Sequence, residues 1–560
     1  QSQMCIIYRR SALQIGANGF RAMVKVRDVA AISATEGVES VAKVTLHTPT
    51  NSTSVPWIGG DAAWEFTGQT GTDVSIAIID TGIDYYHANY GGSGDPMDYE
   101  DDDPTIIEGG TFPTAKVVGG WDFVGDDYDA SGDEGSPTPA PDPDPLDCEG
   151  HGTHVAGSAA GFGVETDGST YPGPYDDTTY GTDFKIGPGV APGADLYALK
   201  VFGCAGSTDV TSDAIEWALD PNGDGSISDA VDVINMSLGA PIGSPLDPSA
   251  ISSNNAVMNG VVVVASAGNE GPASYVTGSP GVAEYAISVA ASIDGGVSVG
   301  ATTVNAPESI AGVIESSEAD FSAPLDEVGP LTDDLAFAEP FDACTAITNP
   351  DDLDGKIAFV TRGSCRFDLK YTNISATGAV GMVVMNNVSG PPFVMGGDYD
   401  SPLIPAVMIS QADGNTIGDE MFGGETVNVT LDSSVVIPKP ELIDSLADFT
   451  SSGPAHFDSG FKPDLAAPGF SISSAGSGSG TGASISSGTS MAAPHVAGMA
   501  AILRDQRKGL DPMIVKSMLQ NSATPAYVAP TNVSTPDEAR ITLQGAGIAQ
   551  LDRAVDLKGY

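Results

Sequence analysis

The feature that most constrains the fold is a set of four short runs of apolar, mostly β-branched residues. The runs are VSIAIID (74–80), ADLYALKVF (194–202), VDVINMSL (231–238) and GVVVVASAG (260–268). A strand that is apolar on both faces needs cover on both faces, as in a parallel sheet between helices. Residues 211–219 and 250–260 fit the intervening helices. The pattern predicts an α/β fold with a parallel sheet between helices.

The character of the sequence changes near residue 300 and changes back near residue 438. Between these points, runs such as IAFV and GMVVMNN predict a small α/β domain inserted into the larger one. Two acidic, proline-rich segments, 95–110 and 125–145, are interpreted as surface loops. The expected units are a small α+β piece (1–56), the large domain in two parts (57–300 and 438–560) and the insert (301–437).

The charge balance argues against a nucleic-acid partner. The 560 residues include 74 acidic and 22 basic ones, and the net charge of −52 repels phosphate. No apolar run reaches the 18 or more residues of a membrane span, so none is expected. The acidic surface fits simple solubility and adaptation to a saline or calcium-rich medium equally well.

The cysteines favour an oxidising compartment. No two of them form a CxxC pair, which disfavours a zinc site. Their odd number fits two disulfides and one unpaired thiol. The five are Cys5, Cys148, Cys204, Cys344 and Cys365.

Three distant stretches carry residues that could act in catalysis. In SGTSMAAPHVAG (487–498), Ser490 stands at a possible helix start among small residues. Asp80 ends the first apolar run, where open α/β sheets place their active sites. CEGHGTHVAG contains His151 and His154. Taken singly, each has an ordinary explanation: a packing serine, a turn aspartate, or a histidine pair without the acidic residue of an HExxH zinc helix.

Together the three stretches have one chemical logic. A serine hydroxyl is a weak nucleophile near neutral pH, so an imidazole must take its proton and a carboxylate must hold the imidazole in one tautomer. A helix beginning at Ser490 would direct its free N–H groups at a developing oxyanion. The residues predict acyl transfer with a base that titrates near the unperturbed imidazole pKa of about 6.5.

DTGID, GHGTHVAG and GTSMAAPHVAG, in that order, resemble the three signatures of the subtilisin-like serine proteases. The resemblance implies that Asp80 orients, His151 is the general base and Ser490 is the nucleophile. VVVVASAGNEG resembles the family's oxyanion segment and implies that Asn269 is the side-chain donor. NMSLG resembles the strand that pairs with an extended peptide substrate, and its residues are Ser237, Leu238 and Gly239.

The resemblance further implies a secreted endopeptidase that favours large apolar residues before the scissile bond. The expected pocket walls are small and leave room for a bulky side chain, and Glu270 at the rim would also admit Lys or Arg. The wall residues are Ala265, Ser266, Ala267, Gly268 and, at the floor, Gly278.

Other segments extend the resemblance. GKIAFVTRGSCRF in the insert resembles a protease-associated domain, an arrangement similar to the minor extracellular protease branch of the family. Residues 1–56 resemble the end of an inhibitory propeptide. The expected partners are therefore protein or peptide substrates and the chain's own propeptide, and the enzyme is expected to be a monomer. The implied disulfides are Cys148–Cys204 and Cys344–Cys365.

The stretch DPNGDGSISD (220–229) predicts a structural calcium site. Oxygen-bearing residues alternate and a glycine follows, as at the start of an EF-hand loop. Val231 stands where the closing glutamate would be, so an earlier carboxylate would close the loop. The expected ligands are Asp220, Asn222, Asp224, the carbonyl of Ser226, and Asp229. The alternative is an acidic turn.

Two competing functions remain. A protease-like binding protein without catalysis would be expected to lack a member of the triad, and here all are present. A serine esterase of the α/β-hydrolase type would carry a GxSxG elbow, which GTSMA is not.

Overall fold

The computed structural model describes residues 8–13, 19–23, 51–319, 321–397, 403–528 and 537–558. The chain divides into two compact units, Gln1–Thr48 and Pro49–Tyr560. In the first unit the described residues form one antiparallel strand pair, with Tyr8 opposite Met23. Most of 1–56, including Cys5, lies outside the described residues.

The strands of the described residues are β1 (Tyr8–Leu13), β2 (Gly19–Met23), β3 (Ser75–Asp80), β4 (Val117–Asp122), β5 (Val164–Glu165), β6 (Phe184–Ile186), β7 (Asp195–Lys200), β8 (Val233–Met236), β9 (Val262–Ser266), β10 (Ile287–Ser292), β11 (Ser298–Ala306), β12 (Gly312–Glu318), β13 (Leu331–Phe337), β14 (Ile357–Thr361), β15 (Gly381–Met385), β16 (Ala406–Ile409), β17 (Asn428–Pro438), β18 (Ser445–Leu446), β19 (Leu465–Pro468), β20 (Ile472–Ala475), β21 (Ala483–Ser486) and β22 (Tyr527–Val528).

The α-helices are α1 (Asn51–Trp57), α2 (Gly60–Thr67), α3 (Pro96–Glu100), α4 (His151–Ala160), α5 (Thr211–Leu219), α6 (Pro248–Met258), α7 (Leu325–Val328), α8 (Pro350–Leu353), α9 (Phe367–Ser375), α10 (Gln411–Phe422), α11 (Thr489–Gln506), α12 (Pro512–Ser522), α13 (Ile541–Gln544) and α14 (Leu551–Asp556). Among these, no helix combines the length and the apolar character needed to cross a membrane.

The large sheet confirms the predicted α/β fold. Its order is β22-β18-β10-β9-β8-β3-β7-β4, with β19 also paired to β10. From β4 through β10 the neighbouring strands are parallel, and Asp80 at the end of β3 stands opposite Lys200 at the end of β7. The carboxyl ends of the central strands therefore share one edge, where such sheets carry their active sites.

Both faces of the sheet are buried, as the continuous apolar runs predicted. Alternate residues of β3 enter two different cores, with Ile76 and Ile78 in one and Ala77 and Ile79 in the other. Helices α4 and α11 cover the first face, and α5 and α6 cover the second. Helix α6 begins two residues before the predicted start because Asp247 accepts a hydrogen bond from the Ser249 amide and caps it.

The segment between β11 and β17 forms a closed barrel of seven strands in the order β11-β12-β16-β15-β14-β13-β17. Strands β13 to β16 pair in parallel, and the remaining pairs are antiparallel. The barrel strands run from residue 298 to residue 438 and pack their own hydrophobic cores with helices α9 and α10.

The boundary expected after residue 56 is corrected by the position of helix α1, which belongs to the second unit. Val55 is fully buried in the core of the large domain. The Ser54 hydroxyl is 2.9 Å from His495 Nε2 on helix α11. The compact unit therefore begins near Pro49, because helix α1 packs into the core of the large domain.

Two disulfides are present among the described residues. Cys148 pairs with Cys204 beside helix α4, and Cys344 pairs with Cys365 in the barrel segment. These are the two pairs that the resemblance implied.

Candidate active site

The carboxyl edge of the large sheet begins with Asp80, the last residue of β3. Its side chain is 1% exposed. Asp80 Oδ1 accepts hydrogen bonds from the Thr81 amide (2.9 Å) and from His151 Nδ1 (2.6 Å). A carboxylate can only accept, so Nδ1 of His151 carries the proton and Nε2 is the acceptor of the neutral ring.

The loop before helix α4 fixes the position of His151. Asp147 Oδ1 accepts hydrogen bonds from the Glu149 and Gly150 amides, and Oδ2 accepts from the amide and the hydroxyl of Thr153. Gly150 adopts φ 107°, a conformation that favours glycine. A Cβ on Gly152 would lie 2.2 Å from the Gly82 carbonyl oxygen, so glycine is required for α4 to approach the end of β3.

The charge around His151 makes it a stronger base than free imidazole. Desolvation in the cleft lowers its pKa, but the carboxylates of Asp80, Glu149 and Asp147 outweigh that effect and raise the pKa from 6.5 to about 9. The sequence-based value near 6.5 is therefore corrected upward. The sequence pairs Asp80 with His151, but it does not show that the carboxylates of Glu149 and Asp147 also raise the pKa of the imidazole.

Ser490 lies in the first turn of helix α11. Its hydroxyl donates a hydrogen bond to the Ser237 carbonyl (2.9 Å), and the Ser237 hydroxyl donates to the Ser490 carbonyl (2.7 Å). The hydrogen bonds between described residues do not include one from Ser490 to His151. Ser237, whose carbonyl accepts from the Ser490 hydroxyl, lines the same cavity as His151.

Asn269 follows β9 and is held by the residue before Ser490. Its Oδ1 accepts hydrogen bonds from the Thr489 amide (3.0 Å) and the Thr489 hydroxyl (2.9 Å). Anchoring the oxygen fixes the amide plane and leaves Nδ2 as the donor. An amide donor beside a helix start suits a negative charge that develops on a substrate carbonyl.

The residues expected to bind substrate lie together at this edge. Met236 pairs with Ala265 in register, and the Ser266 hydroxyl donates to the Leu238 carbonyl (3.2 Å).

The expected floor and the last wall residue of the pocket are held by backbone contacts. The Gly278 amide donates to the Ala267 carbonyl (3.0 Å). The Gly268 amide donates to the Thr489 hydroxyl, and a Cβ on Gly239 would meet the Ser279 carbonyl at 3.0 Å.

Two cavities flank His151. One, of about 240 Å³, is lined by the Asp80–Thr81 turn, Glu149, His151, residues 202–203 and 205–206, and Ser237–Gly239. The other, of about 390 Å³, is lined by Tyr99, His151, His154, the β21 edge and Met491, among others. The imidazole therefore borders both cavities.

The other histidine of the motif has a structural position. His154 is buried, and its Nε2 donates to the Ile472 carbonyl. Desolvation lowers its pKa to about 4, so it is neutral at ordinary pH. The hydrogen bond to a backbone carbonyl therefore gives His154 a structural role.

The candidate calcium loop brings three carboxylates together. One oxygen each of Asp220, Asp224 and Asp229 lies within 4.8 Å of the others. Asn222 Oδ1 accepts from the Asp224 amide, and the Ser226 hydroxyl accepts from the Ser228 amide. Asp229 Oδ1 is buried and has no hydrogen-bond partner among the described residues. A cation is the partner that such an oxygen lacks, so the residues fit a calcium ion.

A second carboxylate cluster was not predicted from the sequence. Asp102, Glu108 and Asp144 approach within 4.8 Å of one another, and desolvation raises the pKa of Asp102 to about 6 and of Asp144 to about 7. The expectation that both acidic segments are surface loops is wrong at Asp144, which is 1% exposed. The only sequence signal was the density of acidic residues in both segments.

One edge of the parallel sheet carries a carboxylate–imidazole pair, a serine in the first turn of a helix, and an amide donor. This combination defines a class of proteins, the α/β serine hydrolases with Asp, His and Ser in that chain order. Comparison with known proteins agrees with this class. The model of the subtilase family matches residues 71–547, and the chain belongs to that family of serine-type peptidases.

Proteins similar to this chain occur in bacteria and in a plant. The chain is 31% identical over 520 residues to "Minor extracellular protease Vpr" of Bacillus subtilis, covering 90% of this chain and 54% of that one. It is 28% identical over 592 residues to "PII-type proteinase" of Lacticaseibacillus paracasei, covering 96% and 29%. It is 29% identical over 524 residues to "Subtilisin-like protease SBT1.4" of Arabidopsis thaliana, covering 87% and 62%. This chain thus spans about half of the Bacillus relative.

Proposed function

We propose that the chain is a secreted serine endopeptidase in which Ser490 attacks the peptide bond, His151 is the general base, Asp80 orients the base and Asn269 stabilises the oxyanion. The observation that carries the proposal is the 2.6 Å bond between Asp80 Oδ1 and His151 Nδ1, at the sheet edge where Ser490 lies in the first turn of helix α11. Membership of the subtilase family supports it. The name of the Bacillus subtilis relative, "Minor extracellular protease Vpr", supports secretion.

The first step of the proposed reaction frees the nucleophile. The Ser490 hydroxyl donates to the Ser237 carbonyl, which is also an acceptor for an extended substrate. A substrate N–H that takes this carbonyl releases the hydroxyl to His151 Nε2. The ring then accepts the serine proton, and Asp80 stabilises the imidazolium.

The later steps use the same groups. Asn269 Nδ2 donates to the oxygen of the tetrahedral intermediate, whose charge also faces the start of helix α11. His151 then gives its proton to the leaving amine, and the acyl-enzyme forms. Water attacks the acyl-enzyme with His151 again as base, which restores Ser490.

We propose a broad specificity that favours large apolar residues before the scissile bond. The small walls Ala265–Gly268 and the expected floor Gly278 support room for such a side chain. A peptide library cleaved only after Asp, or only after Gly, would contradict this preference.

The calcium proposal rests on the loop 220–229. Asp220, Asp224 and Asp229 would supply carboxylate oxygens, and Asn222 and the Ser226 carbonyl would complete the shell. The ion would offset most of the charge of the three carboxylates and hold the loop closed before β8. Its role would be structural, since the loop lies apart from the residues that line the cleft.

The remaining parts of the proposal concern organisation. The barrel segment within 301–437 would be a protease-associated domain, and the residues before Pro49 would carry the end of an inhibitory propeptide. The substrates would be proteins or peptides, and the working unit would be a monomer.

The test of the proposed function is proteolysis by Ser490→Ala beside the parent chain. The variant should keep its fold, and casein cleavage should fall to near background. An assay on a simple ester separates a protease from an esterase. The alternative, an inactive binding protein, predicts that the parent chain cleaves neither substrate.

A further inference from the structure

The acidic segment 95–110 sends one side chain to the loop that carries the general base. Tyr99, in helix α3, is half-buried, and its hydroxyl donates a hydrogen bond to the backbone carbonyl of Asp147 (2.9 Å). Asp147 lies four residues before His151. Tyr99 also lines the larger of the two cavities that border the imidazole. This tyrosine has no part in the proposed mechanism, although it reaches the loop of the general base.

The Asp147 carbonyl is anchored by two hydroxyls from outside its own loop. The first is that of Tyr99, and the second is that of Ser477, which donates at 2.8 Å from the turn between β20 and β21. A carbonyl oxygen has two lone pairs, so these two donors satisfy it completely. Both donors come from segments that are remote from Asp147 along the chain. The carbonyl is therefore one point at which the rest of the domain holds this loop.

The Asp147 side chain extends this anchoring to His151. One carboxylate oxygen accepts hydrogen bonds from the Glu149 and Gly150 amides, and the other accepts from the amide and the hydroxyl of Thr153. His151 is the first residue of helix α4 and lies between these points. Asp147 is fully buried, so water does not compete for its bonds. Fixing the Asp147 peptide from outside therefore fixes the start of the helix and the direction of the imidazole.

The ring of Tyr99 is held by packing as well as by its hydroxyl. A Cβ on Gly478 would lie 3.0 Å from Tyr99 Cε1, so the ring packs directly against the backbone of this turn. The Gly478 amide in turn donates to the buried Asp84 carboxylate (2.9 Å). Desolvation raises the pKa of Tyr99, so its hydroxyl is still a donor at the pH where His151 becomes neutral.

We propose that Tyr99 is a positioning residue for the general base: its hydroxyl fixes the Asp147 carbonyl and thereby holds the His151 ring in the orientation that takes the serine proton. The inference rests on the proposed function. Proton transfer belongs to the chemical step and depends steeply on the geometry of the base. The Tyr99 hydroxyl is bonded to the backbone, so its loss should lower kcat and leave KM nearly unchanged.

The test removes the Tyr99 hydroxyl and keeps the ring, with Tyr99→Phe. The matched control is Tyr86→Phe, which removes a hydroxyl that donates to Asp102 in the same acidic segment (2.6 Å) and does not touch the Asp147 carbonyl. Ser477→Ala removes the second anchor. The double variant Tyr99→Phe/Ser477→Ala completes a mutant cycle on this one carbonyl.

Each variant is assayed on one uncharged peptide from pH 6 to pH 11 at constant ionic strength, and kcat and KM are measured separately. Melting temperatures are measured on the Ser490→Ala background, which prevents self-digestion. They show whether a variant still folds, and they separate a loss of stability from a loss of positioning.

Tyr99→Phe should lower kcat about 5-fold, the factor that corresponds to one hydrogen bond of ordinary strength, with KM within about 2-fold of the parent. Its pH profile should change as well. Three carboxylates raise the pKa of His151, and two of them, Glu149 and Asp147, lie in the loop that loosens. The third, Asp80, stays in place at the end of β3. The acid limb of the variant should therefore move to lower pH.

Tyr86→Phe should change neither kcat nor the acid limb. The double variant should lose more than the product of the two single losses, because each hydroxyl alone still holds the carbonyl in part. A lower melting temperature of Tyr99→Phe with unchanged kcat and pH profile, or an equal fall of kcat in Tyr86→Phe, overturns the inference. A parent that cleaves no peptide overturns the proposed function itself, whereas an active parent with an unaffected Tyr99→Phe leaves that function standing.

Discussion

The pKa of His151 gives a quantitative prediction about the pH dependence of activity. General-base catalysis needs the neutral ring, and the carboxylates around His151 raise its pKa to about 9. The neutral fraction is then about one half at pH 9 and about one hundredth at pH 7, so kcat/KM should fall roughly 50-fold between them. With an ordinary pKa of about 6.5 the same change would cost less than about 2-fold.

The assay is kcat/KM on one uncharged peptide from pH 6 to pH 11 at constant ionic strength. The acid limb should have a slope of one and a midpoint near pH 9. Glu149→Gln removes one of the charges that raise the pKa and should move the midpoint to lower pH, whereas Glu216→Gln should leave it in place. A plateau that extends unchanged down to pH 7 in the parent would refute the electrostatic account of His151.

Three further predictions address separate parts of the structure. Asn269→Ala should lower kcat by about 10²–10³, the loss that subtilisin itself shows for its own donor, with little change in KM, measured by steady-state kinetics. Removing the Cys148–Cys204 bridge, which joins residues 56 apart, should lower the free energy of unfolding by about 4 kcal/mol in denaturant titrations; a change below about 1 kcal/mol would contradict this. Calorimetry on the Ser490→Ala background should show calcium binding that Asp224→Ala removes, together with a lower melting temperature; identical heats in both proteins would mean that the loop is only a turn.

The central sheet was predictable because its strands are buried on both faces. That condition imposes continuous apolar runs, and Asp80 at the end of β3 marks the functional edge. The predicted limits of helix α5 match the observed ones. Helix α6 begins earlier than predicted, because Asp247 caps it and Pro248 takes the first helical position. Local sequence patterns thus predict the secondary-structure elements and their order along the chain.

Long-range closure was not predictable in the same way. The strand-like runs of the insert say nothing about β17 pairing with both β11 and β13, which closes the barrel. The placement of α1 depends on a contact between Ser54 and His495, residues far apart in sequence. Such contacts are decided by three-dimensional packing, which one-dimensional periodicity does not encode.

At the candidate site, the sequence shows which residue types are present but not the electrostatic interactions and hydrogen bonds between them. The family signatures predicted the four candidate catalytic residues, Asp80, His151, Ser490 and Asn269. The raised pKa of His151 needs the positions of Glu149 and Asp147, and the hydrogen bond from Ser490 to Ser237 needs the approach of α11 to β8. These features depend on distances between residues that are remote along the chain.

The most direct test of the account is labelling of the folded chain with a fluorophosphonate, a reagent that phosphonylates an activated serine. The account predicts one equivalent incorporated, an adduct on Ser490 in the peptide mass spectrum, and proteolysis lost in proportion to labelling. His151→Ala should abolish the labelling, because the hydroxyl then has no base. Proteolysis that survives full labelling, or an adduct on a different serine, would contradict the assignment of Ser490 as the nucleophile.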